Sequence, residues 1–149
     1  MDKTYNLQEA NSVVPLLTSI AREVEERRSE LRQLRRDLRN LSSASTPEGL
    51  DSSIADLEIR LRECEAGFRE SLAEVEELGG HVLRLQPLTV HLNGRTKTGK
   101  VVFCWQVGET GIHHGHRCGE EHDARRPLHL RLTNGQPSES GDGQTREAG

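Results

Sequence analysis

The chain has 149 residues, of which 32% are hydrophobic, 3% aromatic and 30% charged, and it carries a formal net charge of −4. That length fits one compact domain, so few aromatics leave little for a large globular core, and an acidic balance without stacking side chains argues against nucleic acid as a partner. No apolar run long enough to span a membrane is present, the N-terminal residues lack the apolar stretch of a signal peptide, and three cysteines in such a context point to reduced thiols in a cytoplasm.

The first predicted element is a long helix. Asn6 with Glu9 three residues on forms a capping-box pattern at its start. With heptad position a set at Ala10, a recurs at Leu17, Val24, Leu31 and Leu38, and d falls on Val13, Ile20, Arg27, Leu34 and Leu41. All but Arg27 are apolar, which is a coiled-coil seam. Pro15 should kink the second turn. The segment Ser42-Ser43-Ala44-Ser45-Thr46-Pro47-Glu48-Gly49 reads as a turn.

A second helix is predicted over residues 52–78, with a at Ile54, Leu61, Phe68 and Val75, d at Leu57, Cys64, Ser71 and Leu78, and Gly79-Gly80 as its stop. Antiparallel docking sets Leu34 against Leu61, Leu31 against Cys64 and Arg27 against Phe68. On the flanks it brings Arg35 beside Glu58 and Arg28 beside Glu65. Two helices alone leave Val14, Leu16 and Leu72 uncovered, so either the rest of the chain or a second copy should cover them. A homo-oligomer or a partner helix is the expected association.

From Gly80 the period changes to two. Short strands are predicted at residues 82–85 and 88–92, with Asn93-Gly94 as a turn, and at residues 100–107. In the last of these, Val101, Phe103, Trp105 and Val107 share one face, and Lys100, Val102, Cys104 and Gln106 share the other. Gly108-Glu109-Thr110-Gly111 should turn the chain back into a strand over residues 112–117. Leu128, Leu130 and Leu132 suggest one more edge strand, and the composition from Asn134 onward reads as a disordered tail. The expected fold is therefore α+β: an antiparallel two-helix coiled-coil hairpin (6–78), a small antiparallel β-ribbon module (80–132) and a disordered C-terminal tail (133–149).

Two motifs bear on chemistry. Gly94-Arg95-Thr96-Lys97-Thr98-Gly99-Lys100-Val101 has phosphate-loop spacing, but Val101 stands where the loop needs Ser or Thr, and a strand follows instead of a helix. A basic hairpin loop is the better reading. The other motif is His113-His114-Gly115-His116-Arg117-Cys118-Gly119-Glu120-Glu121-His122. In a strand, His114, His116 and Cys118 share a face, and imidazole with thiolate suits zinc. Cys104 on the neighbouring strand joins His114 and His116 if the hairpin pairs residues whose numbers add to an even number; an odd register presents Phe103 and Trp105 instead. Cys64 belongs to the helical seam.

Tyr5-Asn6-Leu7-Gln8-Glu9-Ala10-Asn11 with Pro15, Gly79-Gly80, Cys104-Trp105-Gln106-Val107-Gly108-Glu109, His116 and Arg126-Pro127-Leu128 resemble a family of small bacterial proteins called domain of unknown function 2203. The resemblance implies a fold and no known activity, and it supplies no catalytic residues. Gly115 stands where the family usually has Trp, and His122 where it usually has an aromatic, which sets Cys118 and His122 apart as features of this chain. Two functions follow as expectations. The first is a non-enzymatic cytoplasmic interaction or scaffold protein that self-associates. The second is a zinc-binding protein or small metal-dependent hydrolase, with His114, His116 and Cys104 as ligands, Glu109 as base, Trp105 beside the patch and Arg126 nearby.

Overall fold

The computed structural model describes residues 3–43 and 50–128. These contain three helices, α1 (Leu7–Ser12), α2 (Val14–Ser42) and α3 (Leu50–Glu77). Five strands follow: β1 (Gly80–Leu85), β2 (Leu88–Thr96), β3 (Gly99–Gln106), β4 (His114–Arg117) and β5 (Arg126–Pro127). The strands form one antiparallel sheet in chain order, so the fold is α+β. The expected tail, the edge strand beyond Leu128 and residues 44–49 of the expected turn lie outside the described residues.

The chain divides into two compact units. One is Ser19–Glu74, and the other combines the residues on either side of it.

Within the Ser19–Glu74 unit, α2 and α3 run antiparallel. Leu31, Leu34 and Cys64 form a buried cluster, with Leu57, Leu61 and Phe68 packed against it. These residues come from the predicted seam. The thiol of Cys64 donates to the Arg27 carbonyl at 3.5 Å, and Ser71 Oγ donates to Glu23 Oε1 at 3.1 Å. One flank departs from expectation: Arg35 reaches Glu65 at 3.4 Å instead of Glu58, while Arg28 pairs within its own helix with Glu25 at 3.3 Å. Arg27 lies over Gly67, where a β-carbon would come within 2.7 Å of its guanidinium carbon. The missing side chain at Gly67 gives the one charged seam residue its room.

In the other unit the capping box forms as read: Asn6 Oδ1 accepts from the Glu9 amide at 2.8 Å, and Glu9 Oε1 from the Asn6 amide at 2.9 Å. The first helix does not continue through Pro15. It breaks at Val13 and restarts at Val14, which puts Pro15 at the second residue of α2. Proline has no amide to give the Asn11 carbonyl, and its ring crowds that carbonyl; a break two residues earlier relieves both. Asn11 Oδ1 accepts the Ile112 amide at 2.8 Å and ties α1 to the segment before β4. Val14 is buried within the single chain, whereas Leu16 remains 48% exposed.

Tyr5 extends the sheet. Its amide donates to the Asn93 carbonyl and its carbonyl accepts from the Arg95 amide, both at 2.9 Å, and its hydroxyl donates to the Leu78 carbonyl. Gly79 ends α3 at φ +87°, the left-handed value that favours glycine.

Asn93-Gly94 is not a turn. Both residues lie inside β2, opposite Val102 and Val101. The Phe103 ring occupies the space that a side chain at 94 would need, with Cε2 only 2.3 Å from an added β-carbon. Glycine here serves the close approach of an aromatic to a strand backbone. The hairpin turns two residues later, after Thr96, so the phosphate-loop-like spacing lies on a strand–turn–strand, as its missing Ser/Thr predicts. β4 is also shorter than expected, since residues 112 and 113 only lead into it.

Candidate metal centre

In an antiparallel sheet, directly opposed residues point to the same face. His91 of β2 opposes Cys104 of β3, which opposes His114 of β4, and His116 lies opposite Val102. Cys104 with His114 is the even register, so Cys104, His114 and His116 do share a face, with His91 added from β2. After β4, Gly119 adopts φ +96° and the chain turns into a single 3-10 turn, His122–Ala124. That turn brings His122 over the same face.

One donor atom from each of His91, Cys104, His116 and His122 lies within 4.8 Å of all the others. His91 Nε2 is 2.9 Å from His122 Nδ1, and Cys104 Sγ is 3.6 Å from the same nitrogen. Tetrahedral ligands at zinc distances lie roughly 3.3–3.6 Å apart, so these two separations are within a few tenths of an ångström of that range, and the widest in the set, at up to 4.8 Å, would close by about 1 Å to hold an ion. The His91 and His122 rings stack with centroids 5.0 Å apart, and His116 stands edge-on to both. Cys104 and His116 are each 3% exposed.

His116 Nδ1 lies 3.0 Å from the Arg117 carbonyl, to which it can donate. Its Nε2 is buried with no hydrogen-bond partner. A buried polar nitrogen without a partner costs about 1–3 kcal/mol. A backbone carbonyl that fixes one ring proton and leaves the other nitrogen as a lone pair is the usual way a ligating histidine is held.

Burial holds His91 neutral, with its pKa lowered to about 4, and neighbouring His122 and His116 add to the effect. His122 is also lowered, first by burial and then by the Arg125 charge. Burial pushes the Cys104 thiol up to about 12; Arg125 opposes this and Glu109 reinforces it. The metal-free cluster therefore favours neutral imidazoles at His91 and His122, and presents a thiol that ionises only when a cation compensates it.

This gives a pH dependence without metal. His91 folds with a pKa below its unfolded value of about 6.5. Its stabilising contribution is therefore present above about 6.5 and is lost as pH falls through the window down to about 4. Thermal melts of metal-free protein should drop across that window, and His91→Gln should flatten the drop. An unchanged slope in the variant would show that other groups control acid unfolding.

The remaining candidates sit around the cluster. His114 is not among the donors: it turns to Glu109, with Nδ1 3.7 Å from Oε2, and stays half-exposed. Glu109 Oε1 accepts the Gln106 amide at 2.8 Å. Trp105 is fully buried on the opposite face of β3, with its indole N–H donating to the Glu109 carbonyl at 3.0 Å. Arg126 pairs with Glu120 at 3.3 Å. Cys118 is exposed and outside the cluster.

The sequence reading missed His91 and His122. A signal for His91 is present: along β2, residues 89, 91 and 93 are polar while 88, 90 and 92 are Leu, Val and Leu, so His91 lies on the same polar face that carries Cys104 once the strands pair. His122 lies beyond Gly119, where strand periodicity ends, and no local pattern aims it back.

A family model described as "Uncharacterized conserved protein (DUF2203)" matches residues 3–128 of the chain. No curated protein and no solved structure matches it.

Proposed function

We propose that this chain, which belongs to the DUF2203 family, binds one zinc ion through His91, Cys104, His116 and His122. The observation that carries the reading is the convergence of four donor atoms within 4.8 Å, drawn from two neighbouring strands, a third strand and the 3-10 turn. Three imidazoles and one thiolate match the ligand preferences of zinc, and four protein ligands are the number of a closed, structural site. In this reading the ion cross-links β2, β3, β4 and the segment after β4, and stabilises a small sheet whose aromatic core is Phe103 and Trp105. A hydrolytic role with Glu109 as base would need an open coordination position, and the fourth donor, His122, takes that position.

Elemental analysis of the natively purified protein tests this directly. One zinc per chain is expected, and less than a tenth of that would remove the reading.

The helical hairpin supports a second reading, as an interaction element. Leu16 is 48% exposed and Ile59 46%, and both would gain from a partner helix or a second copy. Sedimentation equilibrium at micromolar concentration should give a mass above 16.7 kDa; a monomer would leave self-association without support.

A further inference from the structure

Next to the four donors lies a small cleft of about 190 Å³. Two of the donors, Cys104 and His122, form part of its wall, together with Thr89, Glu109, His114 and Arg125. Its size is below the roughly 300 Å³ at which pockets begin to take drug-sized molecules, so an occupant must be ion-sized or a small group.

The charges around the cleft select the occupant. Arg125 donates to the His122 carbonyl at 3.4 Å and makes no ion pair among the described residues. Its neighbour Arg126, by contrast, is neutralised by Glu120 at 3.3 Å. Glu109 is the carboxylate of the cleft wall, and both of its oxygens are engaged, one by the Gln106 amide and the other facing His114. With a dication, one thiolate, Glu109 and Arg125, the formal charges leave one net positive charge at the cleft. A guanidinium presents a planar fork of donors suited to two oxygens of one anion.

We infer that this cleft binds a small tetrahedral oxyanion of the inorganic phosphate class beside the metal, with Arg125 as its anchor. The inference rests on the metal site proposed above. In the bound state the guanidinium of Arg125 supplies two donors, and the His114 ring, turned toward Glu109, lines the cleft beside it. The positive metal centre adds long-range attraction without giving up a protein ligand.

The test uses the full chain loaded with cobalt(II) in place of zinc. The visible bands of the bound cobalt report the metal site by themselves. Paramagnetic relaxation of the phosphorus nucleus of added inorganic phosphate reports an anion close to the metal. Saturable relaxation enhancement is expected in the wild type. Arg125→Gln should weaken phosphate binding by about 10-fold or more, the usual effect of losing charge-assisted hydrogen bonds, while keeping the cobalt bands, and Arg125→Lys should recover part of it. Normal cobalt bands with no saturable relaxation, or an Arg125→Gln variant that binds phosphate as the wild type does, would overturn the anion site and leave the metal site standing. If no cobalt bands form, the metal reading fails and the anion site fails with it, whatever phosphate does.

Discussion

Exchanging Cys104 for serine should weaken zinc binding by more than about 100-fold, beyond the 10–100-fold that loss of an outer partner produces. The reasons lie in the chemistry of the donors. Histidine ligates through a neutral imidazole, so the thiolate supplies the only anionic ligand to a dication, and a serine hydroxyl does not ionise in its place. The same asymmetry sets the proton balance. Burial keeps the Cys104 thiol protonated in the metal-free protein, with a pKa of about 12, and His91 is already unprotonated above about pH 4. Zinc binding at pH 7.5 should therefore release close to one proton, from Cys104. Calorimetric titrations in buffers of different ionisation enthalpy measure that number. Release of two or three protons would mean that the histidines are charged before the metal arrives. No difference in affinity between Cys104→Ser and wild type would mean that sulfur does not coordinate.

Phe103→Ala should cost on the order of 3–5 kcal/mol of stability, the usual range for a buried phenylalanine, against the total of about 5–15 kcal/mol that folded domains have. Phe103 has no exposed surface, and its ring covers the backbone at Gly94. Truncation would open a cavity and leave a bare glycine in the middle of β2, and neither strand can collapse onto the other without breaking register. Because strand faces alternate, Phe103 lies opposite Cys104, and the donor set survives in the folded molecules. Zinc that binds only the folded form should then recover part of the loss, in proportion to RT ln(1 + [Zn]/Kd). Denaturant melts with and without zinc check both statements. A loss below about 1 kcal/mol would show that the ring is not part of the core.

Much of this architecture could be read from local patterns. The heptads named the buried cluster of Leu31, Leu34 and Cys64, because a seam of regular period needs no long-range information. The capping box at Asn6 and Glu9 is likewise contained within four residues. Alternation in β3 assigned Phe103 and Trp105 to one face and Cys104 to the other. What failed depended on partners distant in sequence. Asn93-Gly94 has the composition of a turn, and only the arrival of Phe103 from the next strand shows why a glycine belongs inside β2. Helix propensity around Pro15 gave a kink, whereas the observed break at Val13 also frees Asn11 to bond Ile112, about a hundred residues away. The donor cluster was half visible. Cys104 and His116 follow from register parity, but His114, on the same face, is drawn off by Glu109, and His122 is aimed by a turn that no periodicity encodes.

The bridge from Tyr5 to Gly94 has a consequence for biosynthesis. On the ribosome, Tyr5 and α1 emerge well ahead of the hydrogen-bonding partners of Tyr5 at Asn93 and Arg95, which are translated about ninety residues later, a delay of several seconds at ordinary elongation rates. The helical seam between Ser19 and Glu74 can close in the meantime, since its contacts are complete once α3 is out. Tyr5 must wait unpaired until then. A pause in translation before Gly94, or a chain truncated there, would leave this N-terminal segment exposed to chaperones and proteases while the helices beyond it are already folded.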